Sequence, residues 1–259
     1  MIESSDYLFH FTPKLEYLKN ILKEGFFPRF NLEHTFLGYG YERPSTFRPI
    51  PMVCFCDIPF SRIKKHRKRY GRYGIGLTKE WGAKAKLNPV VYINKDSNLG
   101  QALADLNNTI CSYDSSMFKN PKEHIVVIRI IGNIAQASNF ISNYFKQYEN
   151  KEELKIGIGS SVATYEKKVF YDEKEWRHVP IINNSFEEEP IWITHEECLS
   201  DSVREQKNKE LEIHPLKFTW ADIKYIIVST ENQKRIMLNY LKEIGKETKH
   251  IKVTDDNTG

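Results

Sequence analysis

The sequence predicts an α+β domain, and three observations carry that expectation. Short apolar runs of strand length recur along the chain, and amphipathic segments of helix length stand between them. No internal period of fixed length ties these segments into a repeat array. With 259 residues, 40% of them hydrophobic and 13% aromatic, the chain can bury a sizeable core, which excludes a disordered or low-complexity protein. Boundary signals are weak. Residues 1–259 are therefore read as one domain, with a long loop at 29–51 and a short polar C-terminal tail.

The first element, residues 7–11 (YLFHF), is apolar and long enough only for a strand. Thr12-Pro13 then offers a helix start, with Thr12 as N-cap and Pro13 at the first helical position. Leu15, Leu18, Ile21 and Leu22 share one helical face, and Gly25 closes it. Residues 29–51 show no sustained periodicity but several aromatics, glycines and prolines, the composition of a lid or binding loop. Residues 52–56 (MVCFC) read as a buried strand, ended by Asp57-Ile58-Pro59. A basic helix follows over about 60–70 and stops at Gly71. Residues 73–77 form the next strand, Thr78 caps a short helix through Trp81, and 89–93 is again strand-like.

Residues 99–118 suit a helix, with Leu99, Ala102, Leu103, Leu106 and Ile110 at helical spacing. Residues 124–131 (HIVVIRII) read as a strand, and 137–148 as a helix with Phe140, Ile141, Tyr144 and Phe145 inward. The charged stretch 149–166 reads as loop, and its Gly157-Ile158-Gly159 lacks the third glycine and the helix of a dinucleotide fingerprint. Residues 169–179 alternate as a strand, which would put Glu173, Glu175 and Arg177 on one face. A helix near 195–208, a strand at 223–229, a helix at 231–244 with Ile236, Leu238 and Leu241 inward, and a strand at 250–253 complete the reading.

The net charge of +4 is unevenly spread. Residues 62–72 (RIKKHRKRYGR) contain no acid, and Arg62, Lys64, Lys65, Arg67, Lys68, Arg69 and Arg72 could meet a nucleic acid or a dinucleotide pyrophosphate. A solvated helix face is the alternative. No apolar run approaches the length of a membrane span, the N-terminus has no basic leader, and four cysteines make no disulfide framework. The expectation is a cytoplasmic protein with no membrane partner.

Two places could carry chemistry. His10 lies in an apolar strand before a helix, as a core histidine would, or as a binding residue would. Cys54-x-Cys56 lacks the further ligands that zinc needs, so no metal is expected. Glu173-Lys174-Glu175 is a carboxylate pair whose repulsion could raise one pKa, with Arg177 able to offset it. The same pattern also suits a strand face laced with ion pairs.

The opening F-H-F-T-P-K-L-E-Y-L-K-N-I-L-K-E-G resembles the first motif of ADP-ribosyltransferases. V-C-F-C-D-I-P-F-S-R is similar to their second block, with Cys54 where tyrosine is usual, and Glu173-x-Glu175 matches their third. The resemblance implies a split, mostly antiparallel sheet with peripheral helices, and NAD as substrate. It would give His10 and Thr12 the ribose, Glu175 the catalytic role and Glu173 the acceptor, with Phe55, Ser61 and Arg177 lining the site. Tyr70 and Tyr73 are both candidates for the tyrosine that stacks on nicotinamide. A longer resemblance, over about residues 7–180, is to the AbiGi family of abortive phage-resistance proteins. It rests on I-P-M-V-C-F-C-D-I-P, Y-G-x-Y-G-I-G-L-T-K-E-W-G and F-Y-D-E-K-E-W-R-H-V-P. It implies an antiviral setting and a toxin partner, because the family is described as the antitoxin half of a two-component system. Three functions follow as expectations: an NAD-dependent transferase acting in phage defence, a non-catalytic antitoxin that grips a toxin or nucleic acid, and an RNA binder using the basic helix and the 29–51 aromatics.

Overall fold

The computed structural model describes residues 5–34, 47–94, 96–112, 121–154, 164–181, 191–248 and 252–254. The chain begins with β1 (Tyr7–Thr12), α1 (Leu15–Glu24), β2 (Arg29–His34) and β3 (Phe47–Cys56). A 3-10 turn (Phe60–Arg62) leads into α2 (Ile63–Tyr70), then β4 (Tyr73–Thr78), α3 (Lys79–Lys84), β5 (Asn88–Pro89) and β6 (Val91–Ile93). Two helices follow, α4 (Asn98–Cys111) and α5 (Pro121–Ser142). Next come β7 (Phe145–Gln147), β8 (Glu149–Leu154), β9 (Thr164–Val169), a 3-10 turn (Phe170–Glu173) and β10 (Glu175–His178). The last part holds α6 (His195–Leu199), α7 (Asp201–Glu210), β11 (Ile223–Ile227), α8 (Glu231–Glu243) and β12 (Lys252–Thr254).

Eight strands form one sheet in the order β12-β11-β4-β1-β3-β10-β5, with β2 also on β3. Every pairing in it is antiparallel except β11 with β12. The α+β class and the mostly antiparallel sheet agree with expectation. The first strand stands in the middle because its register with β4 runs unbroken from Tyr7 opposite Thr78 to Thr12 opposite Tyr73.

Strand alternation sends successive residues of β1 to opposite faces. Leu8 joins Phe26, Phe55, Ile75, Leu77 and Trp81 in the larger core, which α1 and α8 also enter. Phe9 and Phe11 join Cys56, Ile58, Ile63 and Ile227 on the other face. Gly74 and Gly76 make room for those rings: a Cβ there would stand 2.7 Å from Phe11 and from Phe9. Gly71 ends α2 at φ 135°, pressed against the Thr12 backbone, where a side chain would be both strained and blocked.

Several local expectations are corrected. Thr12 does not cap α1; it ends β1, buried, and Lys14 takes the N-cap position without a side-chain bond. The 29–51 loop is instead a pair of strands, since β2 matches β3 from Arg29 opposite Met52 to His34 opposite Phe47. Residues 35–46 of that stretch lie outside the described residues. Residues 124–131 lie inside the 22-residue α5 rather than in a strand. Their β-branched composition favours strands, but the run continues at helical length without a turn signal. Residues 149–154 are a strand paired with β9, not a loop. In α8 the buried residues are Met237 and Leu241, one turn apart, whereas Ile236 and Leu238 are about two-fifths exposed. The expected absence of a membrane-length apolar segment also fails: Ile125–Ser142 is long and apolar enough to cross a membrane, by length and composition alone.

Candidate functional site

The glutamate pair does not sit on one strand. Glu173 ends the 3-10 turn, Lys174 takes a left-handed conformation (φ 43°), and Glu175 opens β10. The reversal at Lys174 still brings both carboxylates to one cation. Lys146 Nζ donates to Glu173 Oε2 and to Glu175 Oε2, each at 2.9 Å.

Arg177 completes the cluster from beneath. Its side chain is fully buried, and its Nε donates to Glu175 Oε1 at 2.6 Å while Nη2 donates to Glu175 Oε2 at 3.2 Å. The same Nη2 donates to Glu33 Oε2 at 2.9 Å, and Nη1 to the Asn143 carbonyl at 2.7 Å. Two peripheral tyrosines join: Tyr70 donates its hydroxyl proton to Glu173 Oε1, and the Tyr92 hydroxyl accepts from the Glu175 backbone N–H at 2.9 Å. Three carboxylates thus face two cations, with one phenol bound to Glu173.

Burial works to raise the Glu175 carboxyl, but Arg177 and Lys146 outweigh it and hold the group well below the usual carboxylate range. Burial works to lower Lys146, and Glu175, Glu33 and Glu173 outweigh that in turn. Burial and the neighbouring Glu173 push the Tyr70 phenol up. At neutral pH Glu175 is therefore a carboxylate whose two oxygens are already held, not a raised-pKa acid. Burial, with Glu175 next, also raises the Cys54 thiol, and burial with Asp57 raises Cys56, so neither is a thiolate nucleophile. Among the described residues, no group of three or more His, Cys, Asp or Glu is placed to hold a metal ion.

The first predicted motif lies elsewhere. Phe9, Cys56 and Glu175 stand directly opposite one another across β1, β3 and β10, so they share a face. His10 consequently points to the other face, with Phe55, which pairs with Trp176. Its Nδ1 lies 2.8 Å from the Cys54 carbonyl oxygen, and its ring packs edge-on against Phe26 at 5.0 Å. Burial lowers its pKa. Of the two roles left open for His10, the geometry is that of a core histidine. Thr12 and Tyr73 stand opposite each other on that same side, and the Tyr73 hydroxyl accepts from Gln233 of α8 at 2.6 Å. The structure thus gathers Tyr70, Glu173, Glu175 and Arg177, and leaves His10, Thr12, Phe55 and Tyr73 across the sheet. Ser61 is exposed on the turn before α2.

Lys64, Lys68 and Arg69 of α2 are exposed, as are Arg62 just before it and Arg72 just beyond it. Arg67 is a correction. It is buried, and its Nη2 donates to the Val228 carbonyl at 3.0 Å and to that of Arg72, so it fastens α2 to the end of β11. The Lys65 side chain lies outside the described residues. Sequence reasoning missed Lys146, Glu33 and Tyr92, which come from separate elements with no shared motif; the charges of Lys146 and Glu33 were the only local signal, and Tyr92 carried none.

The fold and this site define an α+β protein with a buried ion cluster on one sheet face. The family described as "Putative abortive phage resistance protein AbiGi, antitoxin" matches residues 24–229, and the chain belongs to it. An abortive phage resistance protein AbiGi from Lactococcus lactis subsp. cremoris is 24% identical over 207 residues, covering 74% of this chain and 77% of that protein. No solved structure matches the chain.

Proposed function

We propose that this protein is the antitoxin half of a two-component abortive-infection system, a cytoplasmic subunit that acts by binding its toxin. One observation carries the non-catalytic part. His10 and Thr12 lie across the sheet from Glu175, whose oxygens are taken by Arg177 and Lys146. The family description supplies the antitoxin role and hence the toxin partner. Nucleic acid is a second partner class, through the exposed Arg62, Lys64, Lys68, Arg69 and Arg72, and steep loss of binding with salt would mark it.

The test is co-expression with the toxin encoded beside it. Glu175→Gln and His10→Ala should each keep the complex and the protection of cells, provided circular dichroism shows both folded. Folded variants that bind toxin but no longer protect would sink the reading.

The transferase reading, with an ADP-ribosyltransferase-like split sheet, keeps one observation in its favour: Tyr70 meets Glu173 beside Glu175. As they stand, the residues do not fit NAD. The His10 ring is enclosed by Phe26 and Phe55 on the far face, and its Nδ1 is tied to the backbone. Transfer of label from NAD, lost in Glu175→Gln, would restore that reading.

A further inference from the structure

The α4–α5 pair carries apolar surface that the rest of the described chain leaves open. In α5, Ile125, Val126, Ile128, Ile130, Ile134 and Ile141 are 45–60% exposed, and in α4 Leu99 and Leu106 are 52% and 42% exposed. Scattered exposed hydrophobes are ordinary; a row of them along one helix is not.

Helical spacing sorts the side chains of α5 into strips. Val127, Ile131, Ala135 and Ser138 are half-buried and Ser142 is buried, so this strip faces the protein. Arg48 of β3 fastens its end, donating to Ser142 Oγ at 3.0 Å and to the Asn139 carbonyl at 3.1 Å. Arg129, Asn133 and Gln136 make an exposed polar strip. Between the two, Val126, Ile130, Ile134, Ala137 and Ile141 are all exposed and fall within about 80° of arc at 100° per residue. With Val127 at its edge, this strip has the three–four–three–four spacing of a heptad seam. Leu99, Leu103, Leu106 and Ile110 of α4 repeat it as four–three–four.

A lipid bilayer is a poor occupant, because a spanning α5 would leave Arg129, Asn133 and Gln136 in hydrocarbon. A second copy fits. Val126, Ile130, Ile134 and Ile141, with Leu99 and Leu106 of α4, offer on the order of 500 Å² of exposed area, in the upper part of the range a monomer leaves in one patch and more than half of the ~800 Å² per partner of a standard interface. The seam bears no formal charge, so it is its own complement. If two α5 helices cross antiparallel about Ile134, the two Arg129 side chains stand about 15 Å apart along the axis, beyond a Debye length.

We propose that α4 and α5 are the dimerisation face of this protein. Two copies meet through α5 across a two-fold axis near Ile134, and the four helices close into a bundle. This stands whether or not the chain is an antitoxin. Sedimentation equilibrium of the full chain at micromolar concentration should give twice the mass of one copy. Ile130→Glu with Ile134→Glu should halve that mass and leave far-UV circular dichroism unchanged. As a readout without a buried charge, Ile134→Cys should oxidise to a linked dimer, while the wild type and Leu238→Cys, exposed on α8, should not. A wild type that stays at the mass of one copy, that floats with phospholipid vesicles, or whose dimer survives the double substitution overturns the proposal.

Discussion

The two faces of the sheet at β1, β3 and β10 differ in chemistry although only one strand's thickness separates them. On one, His10 is neutral and enclosed by Phe26 and Phe55 in an aromatic core. On the other, Glu175 and Arg177 carry their charges more deeply buried than His10, with Lys146 and Glu33 completing their partners. The first face is held mainly by area and shape; the second has its own apolar cluster around Phe9 and Cys56, and beside it depends on the match of each charge to its neighbour. Removing a methyl from the first costs in proportion, whereas removing one charge from the second strands the rest.

Arg177→Met is expected to have the largest effect, about 3–5 kcal/mol of lost stability, because it leaves the buried Glu175 and the half-buried Glu33 without that partner. Combining it with Glu175→Leu should recover part of the loss, since apolar replacement of both partners removes the stranded charge. Urea melts of the single and double variants read this directly. A double variant no more stable than Arg177→Met would break the distinction between the faces.

Acid titration separates the two faces next. Glu175 is depressed when folded, so its contribution is full above the ordinary carboxylate value of 4.5 and falls as pH drops below it. His10 and His178 are also depressed, both chiefly by burial. Below 6.5 the unfolded chain gains protons that these folded imidazoles resist, so stability starts to fall there. Melting temperature should therefore decline in two stages. His10→Gln should shrink the upper stage, leaving the share of His178, and Glu175→Gln should shrink the lower. The smallest effect concerns neither face: Thr78→Ala removes the hydroxyl that accepts from Trp81 N at 3.2 Å and should cost about 1 kcal/mol.

The same contrast explains what could be read in advance. Elements bounded by local signals were legible: Gly25 and Gly71 at helix ends, Thr78 as a cap, and the strands β1, β4 and β11. Helix α5 was not, because an isoleucine–valine run satisfies strand composition and helix spacing together, and only its full length decides. Within the site, Glu175 and Arg177 could be paired from their spacing of two. Lys146, 29 residues before Glu175, could not, since the meeting depends on where β7 and β10 are carried by the fold. The resemblance joined His10 to Glu175 by motif order, but order along a chain says nothing about which side of a strand each residue takes.

The arrangement of strands also sets a schedule for synthesis. β1, β3 and β4 are complete within the first 78 residues, so the middle of the sheet can pair early. β10 begins at Glu175, and at roughly 5–20 residues per second it follows β4 by on the order of 5–20 s. During that interval Val53–Cys56 of β3 lacks the strand that later covers it, an open apolar edge on a nascent chain. The same interval leaves Glu33 waiting throughout, and Lys146 through its last part, for Glu173, Glu175 and Arg177. The last charges to be translated lock the cluster, and a chaperone that shields β3 meanwhile would act on this segment.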